Sequence, residues 1–183
     1  MSLGLESGAV RVVRYDAAWP AMFLDEAKRI RNALGVDIQL EMEHTGSTAV
    51  PGLCAKPVLD ILAGWRTGDT RERVVAALES AGYLYRGEQG IPGRDFFRRG
   101  QPRAYHIHLV EFRGPFWREH LAFRDALRAD NAIRDGYSAL KLGLAQRFPR
   151  DREAYIEGKS GFIEKIVTET LAKNYLQSAD GRR

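Results

Sequence analysis

The most constraining feature of this sequence is a polar turn between two strand-like segments. Apolar and polar residues alternate over residues 38–44, the pattern of a strand with one buried face. The turn Gly46-Ser47-Thr48 follows, and residues 58–63 form a second, mostly apolar strand with Asp60 in its middle. Burying this carboxylate without a partner would cost several kcal/mol. The fold must therefore give Asp60 a partner or a function.

Hydropathy patterns in the first two-thirds predict a mixed α/β core. Further strands are predicted at residues 10–15, 83–86, 95–99 and 105–112. One helix is predicted between Asp16 and Gly35, and a second from about Asp69, whose side chain would cap it together with Glu72.

Residues 114–175 predict three helices, which begin near Gly114, Asn131 and Asp151. Their short connections favour antiparallel packing. We therefore expect one α+β domain over residues 1–183, with a mixed α/β core (1–113), C-terminal helices (114–175) and a polar, frayed tail (176–183).

Composition excludes several classes of protein. No apolar run approaches the roughly 20 residues that span a bilayer, and residues 1–10 do not resemble a secretory signal. The single cysteine, Cys54, cannot form an intrachain disulfide, so a cytoplasmic location is expected. A net charge of +4 fits an anionic ligand but does not favour nucleic acid. The basic residues, densest at Arg94, Arg98, Arg99 and Arg103, are predicted to be solvated, and the oligomeric state stays open.

Two elements could carry phosphate chemistry. Asp60 could bind a metal or act as an acid or base, or it could simply pair with Lys56 or an arginine. Gly46, Ser47 and Thr48 could bind phosphate through backbone N–H groups and hydroxyls, or could form an ordinary capped turn. Lys56 is a candidate phosphate contact, although surface lysines are commoner.

His106 and His108 share one face of the strand predicted at residues 105–112. Together with Asp60 they could hold a divalent transition metal or bind phosphate, or they could be half-exposed strand residues. Glu43 is a further candidate ligand. His120 is predicted to be structural. Lys141, Tyr155 and Lys159 are predicted to lie on helix surfaces, with a cleft against the sheet as the alternative.

Residues 43–62 resemble the signature of the GrpB family, also named UPF0157. The resemblance continues at residues 105–109, 117–128, 137–141 and 155–163, so it covers roughly residues 10–173. It implies a mixed sheet with flanking helices, of the polymerase β-like nucleotidyltransferase superfamily.

The same resemblance implies a site. Gly46 and Ser47 match the turn that holds a triphosphate, and Asp60 matches the first of two carboxylates that bind two Mg²⁺ ions. Leu62 stands in place of the second carboxylate, so Glu43, His106, His108 or Glu111 would have to complete a rearranged metal site. The expected cofactor is Mg²⁺ or Mn²⁺, with Zn²⁺ as an alternative.

The leading hypothesis is a nucleotidyltransferase-fold enzyme that acts on a nucleotide or another phosphorylated small molecule. Gly46, Ser47 and Thr48 would hold the phosphates, Asp60 would bind metal, and the catalytic set would be completed by His106 and His108 as ligands or acid/base groups. One alternative is a catalytically silent ligand-binding or scaffold domain, and another is a metal-dependent hydrolase built on Asp60, His106 and His108. Domains of this family also occur joined to dephospho-CoA kinase, which suggests cofactor metabolism. This chain has no Gly-x-x-x-x-Gly-Lys-Ser/Thr loop and is not itself expected to be a kinase.

Overall fold

The computed structural model describes residues 3–6, 8–66 and 71–180, and within them the chain has an α+β fold. Its elements are α1 (Trp19–Leu34), β1 (Glu41–Thr45), a short 3-10 helix (Ser47–Ala49), β2 (Leu59–Trp65), α2 (Arg71–Ser80), β3 (Leu84–Tyr85), β4 (Asp95–Arg99), β5 (Tyr105–Glu111), α3 (Pro115–Ala129), α4 (Asn131–Arg147) and α5 (Arg152–Asp180).

The strands form a mixed sheet in the order β1-β2-β5-β4-β3. β2 and β5 lie side by side in the middle and run parallel, whereas the other neighbouring pairs are antiparallel. The register pairs Asp60 with His106 on β5 and with Thr45 on β1. The turn, the carboxylate and the imidazole therefore meet at one place, although the sequence separates them widely.

Alternation along β2 and β5 divides the molecule into three layers. Leu59, Ile61 and Ile107 are fully buried in the main core against α1 and α2. Leu62 faces the opposite way and packs with Val110 and Trp117. Because successive side chains of a strand point to opposite faces, Asp60 lies on the same face as Leu62, toward α3.

Local signals explain where the helices begin and end. Pro20 lies in the first turn of α1, and Gly35 follows its last residue with a φ of 72°. The side chain of Asp130 caps α4 by accepting hydrogen bonds from the N–H groups of Ala132 and Ile133. These boundaries agree with the predicted helices to within a few residues.

Two predicted features differ from the structure. Residues 10–15 were expected to form a strand, but they make only an isolated bridge between Val13 and Ala55. Pro57 follows closely and has no N–H to donate, so a longer ladder cannot form there. The tail predicted from residue 176 is instead the end of α5, which continues to Asp180. The cap predicted at Asp69 lies outside the described residues.

In the described part of the chain, none of the helices is both long and apolar enough to cross a membrane.

Candidate functional site

A cavity of about 690 Å³ lies between the sheet face that carries Asp60 and the C-terminal helices. The sheet side contributes the turn residues 45–48 together with Asp60, His106 and His108. The helical side contributes His120 from α3, Lys141 from α4 and a row of residues from α5. The structure therefore brings together most of the residues that the sequence predicted for a site.

Among the described residues of this lining, Asp60 is the carboxylate on the sheet side, while Glu119 and Glu164 lie on the helical side. Its Oδ1 lies 2.9 Å from Nδ1 of His106 and 3.5 Å from Nε2 of His108. Burial raises the pKa of the Asp60 carboxyl, but the hydrogen bonds and positive character of the two imidazoles outweigh it and hold the pKa well below its usual value. Asp60 is therefore an anion that accepts hydrogen bonds from both rings.

The contacts of the ring nitrogens that face away from Asp60 indicate which imidazole atoms carry protons. Nδ1 of His108 lies 3.5 Å from Nη1 of Arg94, a group that can only donate. Nδ1 of His108 is therefore the acceptor, and its Nε2–H faces Asp60. Nε2 of His106 is buried without a hydrogen-bond partner. Burial is the main reason that the pKa of His106 is lowered, although Asp60 opposes this shift.

The turn after β1 fits against Asp60 because residue 46 is glycine. Gly46 has a φ of 69°, and a Cβ placed there would lie 2.5 Å from Oδ2 of Asp60. His44 supports the turn from behind: its Nε2 lies 3.0 Å from Oγ1 of Thr48 and its ring stacks on Phe23. Burial lowers the pKa of His44 to about 4, so this imidazole is neutral at physiological pH.

Lys141 joins the turn to the helices. Its Nζ donates a hydrogen bond to Oγ of Ser47 at 2.9 Å and another to the carbonyl of Cys54. The side chain is 2% exposed, and burial lowers its pKa to about 7. The expected helix-surface position of Lys141 was wrong, since α4 packs this face against the turn.

Lys56 and Lys159 both lie close to the ring of a buried tyrosine. Their Nζ atoms are 4.9 Å and 4.7 Å from the ring centroid of Tyr155, which is 1% exposed. Burial, with a smaller contribution from neighbouring cations, lowers the pKa of each lysine to about 8. Lys159 and Tyr155 were also expected on a helix surface, and the packing of α5 over the cavity explains the difference.

Three arginines add to this charge. Arg94 is 8% exposed and donates to the carbonyls of Glu88 and Gln89, contrary to the expectation of a solvated side chain. We call the following five residues the cation cluster: Lys56, Arg94, Arg103, Arg152 and Lys159. Within the described ranges, no member of the cluster has an Asp or Glu side chain at ion-pair distance.

The sequence holds one signal that could have revealed the buried lysines. Lys141 lies four residues after Tyr137, and Lys159 lies four residues after Tyr155. Side chains at this spacing share a helix face, so a buried tyrosine places the following lysine in the interior as well. Both tyrosines are buried.

The metal predictions receive no support from this geometry. In the part of the chain that the structure describes, no group of three or more His, Cys, Asp and Glu side chains is arranged to hold a metal ion. Glu43 lies apart from the cavity, because its carboxylate pairs with Arg124 at 2.7 Å and lines a different depression. Leu62 is fully buried against Trp117 and supplies no ligand.

His120 lies in the cavity lining as well as on the apolar side of α3. Its Nδ1–H donates to the carbonyl of Phe116 at 2.9 Å, and its ring stacks on Phe116 with centroids 3.7 Å apart. Burial lowers the pKa of His120 to about 4. The predicted structural role agrees with these contacts, while its Nε2 remains available to a ligand.

The fold and the site together define a class: an α+β protein with a cationic cavity in which one carboxylate on the sheet contacts two imidazoles. The chain belongs to the GrpB family, because the family described as GrpB protein matches residues 9–169.

Known relatives agree with this assignment. A UPF0157 protein of Pseudomonas aeruginosa is 40% identical over 168 residues, covering 89% of this chain and 68% of the relative. The glutamate-rich protein GrpB of Alkalihalophilus pseudofirmus is 31% identical and covers 91% and 99% of the two chains. The crystal structure of the conserved protein GrpB from Enterococcus faecalis has a TM-score of 0.81 at 36% identity, covering 90% of this chain and 99% of that one.

Proposed function

We propose that the cavity binds a phosphorylated small molecule of about the size of a nucleotide. The observation that carries this proposal is the cation cluster: five positively charged side chains line one cavity, and among the described residues none of the five forms an ion pair with a carboxylate. The volume of about 690 Å³ lies within the range of small-molecule sites. Apolar lining residues such as Phe96, Phe123 and Ile163 offer a surface for the part of the ligand that carries no charge.

The energetics of the cluster favour an anion. Lys56, Lys159 and Arg152 repel one another in a space with little water, and this repulsion adds to burial in lowering the pKa of both lysines. A phosphate group placed among them would relieve the repulsion and accept charge-assisted hydrogen bonds. The free protein therefore stores an unfavourable interaction that a phosphorylated ligand removes.

A relative's name agrees with a phosphorylated ligand. A dephospho-CoA kinase of Mycolicibacterium paratuberculosis is 28% identical over 176 residues, which cover 82% of this chain and 43% of that protein. The matching region is therefore less than half of that kinase. For this chain, we infer only that a phosphorylated metabolite of comparable size is a suitable ligand.

Nucleotidyl transfer is the second candidate function, and the neighbouring positions of Asp60 and His106 favour it. The 2.9 Å contact between them forms a carboxylate–imidazole pair beside the Gly46-Ser47 turn, which could accept a proton from an attacking hydroxyl. A silent binding domain would have the same cavity and lack turnover. The predicted hydrolase is the third possibility, and it rests on the same three residues without a demonstrated metal site.

A thermal-shift screen tests binding. The panel holds nucleotides, dephospho-CoA and sugar phosphates, each with EDTA, Mg²⁺, Mn²⁺ or Zn²⁺. A ligand at 100 times its Kd adds about 2.7 kcal/mol of stability, which corresponds to a rise in Tm of roughly 5–11 °C for a chain of this length. Failure of every member to shift the Tm would contradict the proposal.

Matched variants locate the site. Lys159→Met should abolish the ligand-induced shift, whereas Lys165→Met should leave it unchanged, because Lys165 is exposed on the same helix. For any nucleotide that binds, release of pyrophosphate or labelling of an acceptor distinguishes transfer from silent binding.

A further inference from the structure

One oxygen of Asp60 already accepts hydrogen bonds within the protein, and the other lies against the turn. Oδ1 accepts from His106 and His108, and Oδ2 lies so close to Gly46 that a Cβ at that residue would be 2.5 Å away. A hydrated Mg²⁺ needs about six oxygen ligands at 2.0–2.1 Å in octahedral geometry. Asp60 therefore has one oxygen, Oδ2, that does not already accept from an imidazole, and the other ligands of a hard cation would have to come from its neighbours.

The neighbouring side chains do not supply what Asp60 lacks. Leu62 occupies the next position on the same face of β2 and is apolar, and Glu43 is paired with Arg124. The nitrogen of His108 that faces Asp60 carries a proton, as its contact with Arg94 indicates. The other carboxylates of the cavity lining, Glu119 and Glu164, belong to α3 and α5, and among the described residues no group of three or more His, Cys, Asp and Glu side chains is arranged to hold a metal ion. This donor set does not fit a pair of Mg²⁺ ions.

The cation cluster provides the positive charge that metal ions would otherwise supply. Lys56 and Arg103 come just before β2 and β5, while Arg152 and Lys159 extend from α5 on the opposite wall. Phosphate oxygens bound between these walls would meet ammonium and guanidinium groups from both sides. Asp60 is a negative charge within reach of this cluster, because it affects the pKa values of Lys56, Lys159 and Arg103.

We propose that the cavity takes its phosphorylated ligand free of divalent metal, with the cation cluster neutralising the phosphates and with Mg²⁺ competing for the ligand. This inference rests on the proposed function and specifies the form of the ligand that binds. It makes Asp60 a positioning residue for the turn and the imidazoles, and its negative charge repels the phosphates.

The first test compares one probe in two ionic conditions. ATP and inorganic tripolyphosphate are titrated calorimetrically into the wild-type protein in EDTA, and again in excess Mg²⁺ at matched ionic strength. Chelation neutralises phosphate charge, so we expect binding to be at least about tenfold weaker with Mg²⁺. Binding that requires Mg²⁺ would overturn this inference and leave the proposed function standing. Absence of binding by both probes in both conditions would overturn the proposed function and this inference with it.

The second test uses the direction in which one substitution changes the affinity for tripolyphosphate. Asp60→Asn keeps the size of the side chain and an oxygen for the imidazoles but removes the negative charge. A metal-free site should bind tripolyphosphate about threefold to tenfold more tightly after this change, since a nearby repulsion is lost. A metal-dependent site should bind it more weakly, which would refute the inference.

Asp135→Asn is the control for a change of one charge, because Asp135 is exposed on α4 and its side chain is 68% accessible. Its affinity for tripolyphosphate should stay within about twofold of the wild-type value, since solvent screens distant surface charges. Circular dichroism and Tm establish that each variant is folded. If Asp60→Asn does not fold, the comparison of EDTA with Mg²⁺ on the wild-type protein still decides the question.

Discussion

Replacing Gly46 with alanine should destabilise the protein through two separate effects. The residue has a φ of 69° and a ψ of −173°, a conformation that side-chain-bearing residues almost never adopt and that costs about 1–3 kcal/mol. The new Cβ would also lie 2.5 Å from Oδ2 and 3.1 Å from Cβ of Asp60, and overpacking of this kind costs about 1–3 kcal/mol. We expect a total loss of about 3–4 kcal/mol.

Urea denaturation followed by tryptophan fluorescence measures this loss, since Trp19 and Trp117 are buried. The corresponding fall in Tm is roughly 6–16 °C for a chain of this length. Gly87→Ala is the matched control: Gly87 has a φ of 67° but no atom within 4 Å of its added Cβ, so it reports the conformational cost alone. That variant should lose about 1–2 kcal/mol.

A double-mutant cycle isolates the contact with Asp60. In an Asp60→Ala background, which lacks Oδ2 but keeps the Cβ 3.1 Å away, Gly46→Ala should lose most of its excess cost over Gly87→Ala. The coupling free energy should be about 2 kcal/mol. The reasoning is refuted if Gly46→Ala costs no more than the control in the wild-type background, or if the two substitutions are additive.

Three further outcomes are expected. From pH 7 to 10 the free energy of unfolding should rise, because Lys141 is protonated in the unfolded chain but loses its proton in the folded protein, where its pKa is about 7. In a series of denaturation curves over this pH range, Lys141→Met should flatten the rise. Glu26→Gln should lower the free energy of unfolding, measured by urea denaturation, by about 2–3 kcal/mol, because the buried carboxylate accepts hydrogen bonds from two partly exposed arginines and a tyrosine. The control is Asp25→Asn at an exposed position, which should change stability by less than about 0.5 kcal/mol. Gly64→Ala should lower Tm through a loss of about 1–3 kcal/mol, because its Cβ would lie 2.8 Å from Trp117; an unchanged Tm would show that α3 can shift without cost.

Much of the fold could be predicted because side-chain alternation is a local property. The alternation of side chains predicted Asp60 and Leu62 on one face of β2 and Leu59 and Ile61 on the other, as observed. The same reasoning placed His106 and His108 together on β5, where both reach Asp60. These predictions succeed because they depend only on the strand itself.

The charge of the cavity could not be predicted in the same way. Whether a lysine is buried depends on what packs over it, and the partners of Lys141 at Ser47 and Cys54 are distant in sequence. Arg94 similarly becomes buried only because β4 pairs with β5 beside the helices. Tertiary packing therefore determined the part of the site that now carries the functional proposal.

The two walls of the cavity come from different parts of the chain, with Lys56 and Asp60 on one side and Lys141, Arg152 and Lys159 on the other. Neither part has the site by itself, so ligand affinity reports on the attachment of α4 and α5 to the sheet. A phosphorylated ligand held between the walls adds its binding free energy to that attachment. Under the binding proposed above, ligand recognition and the packing of α4 and α5 onto the sheet are thermodynamically linked.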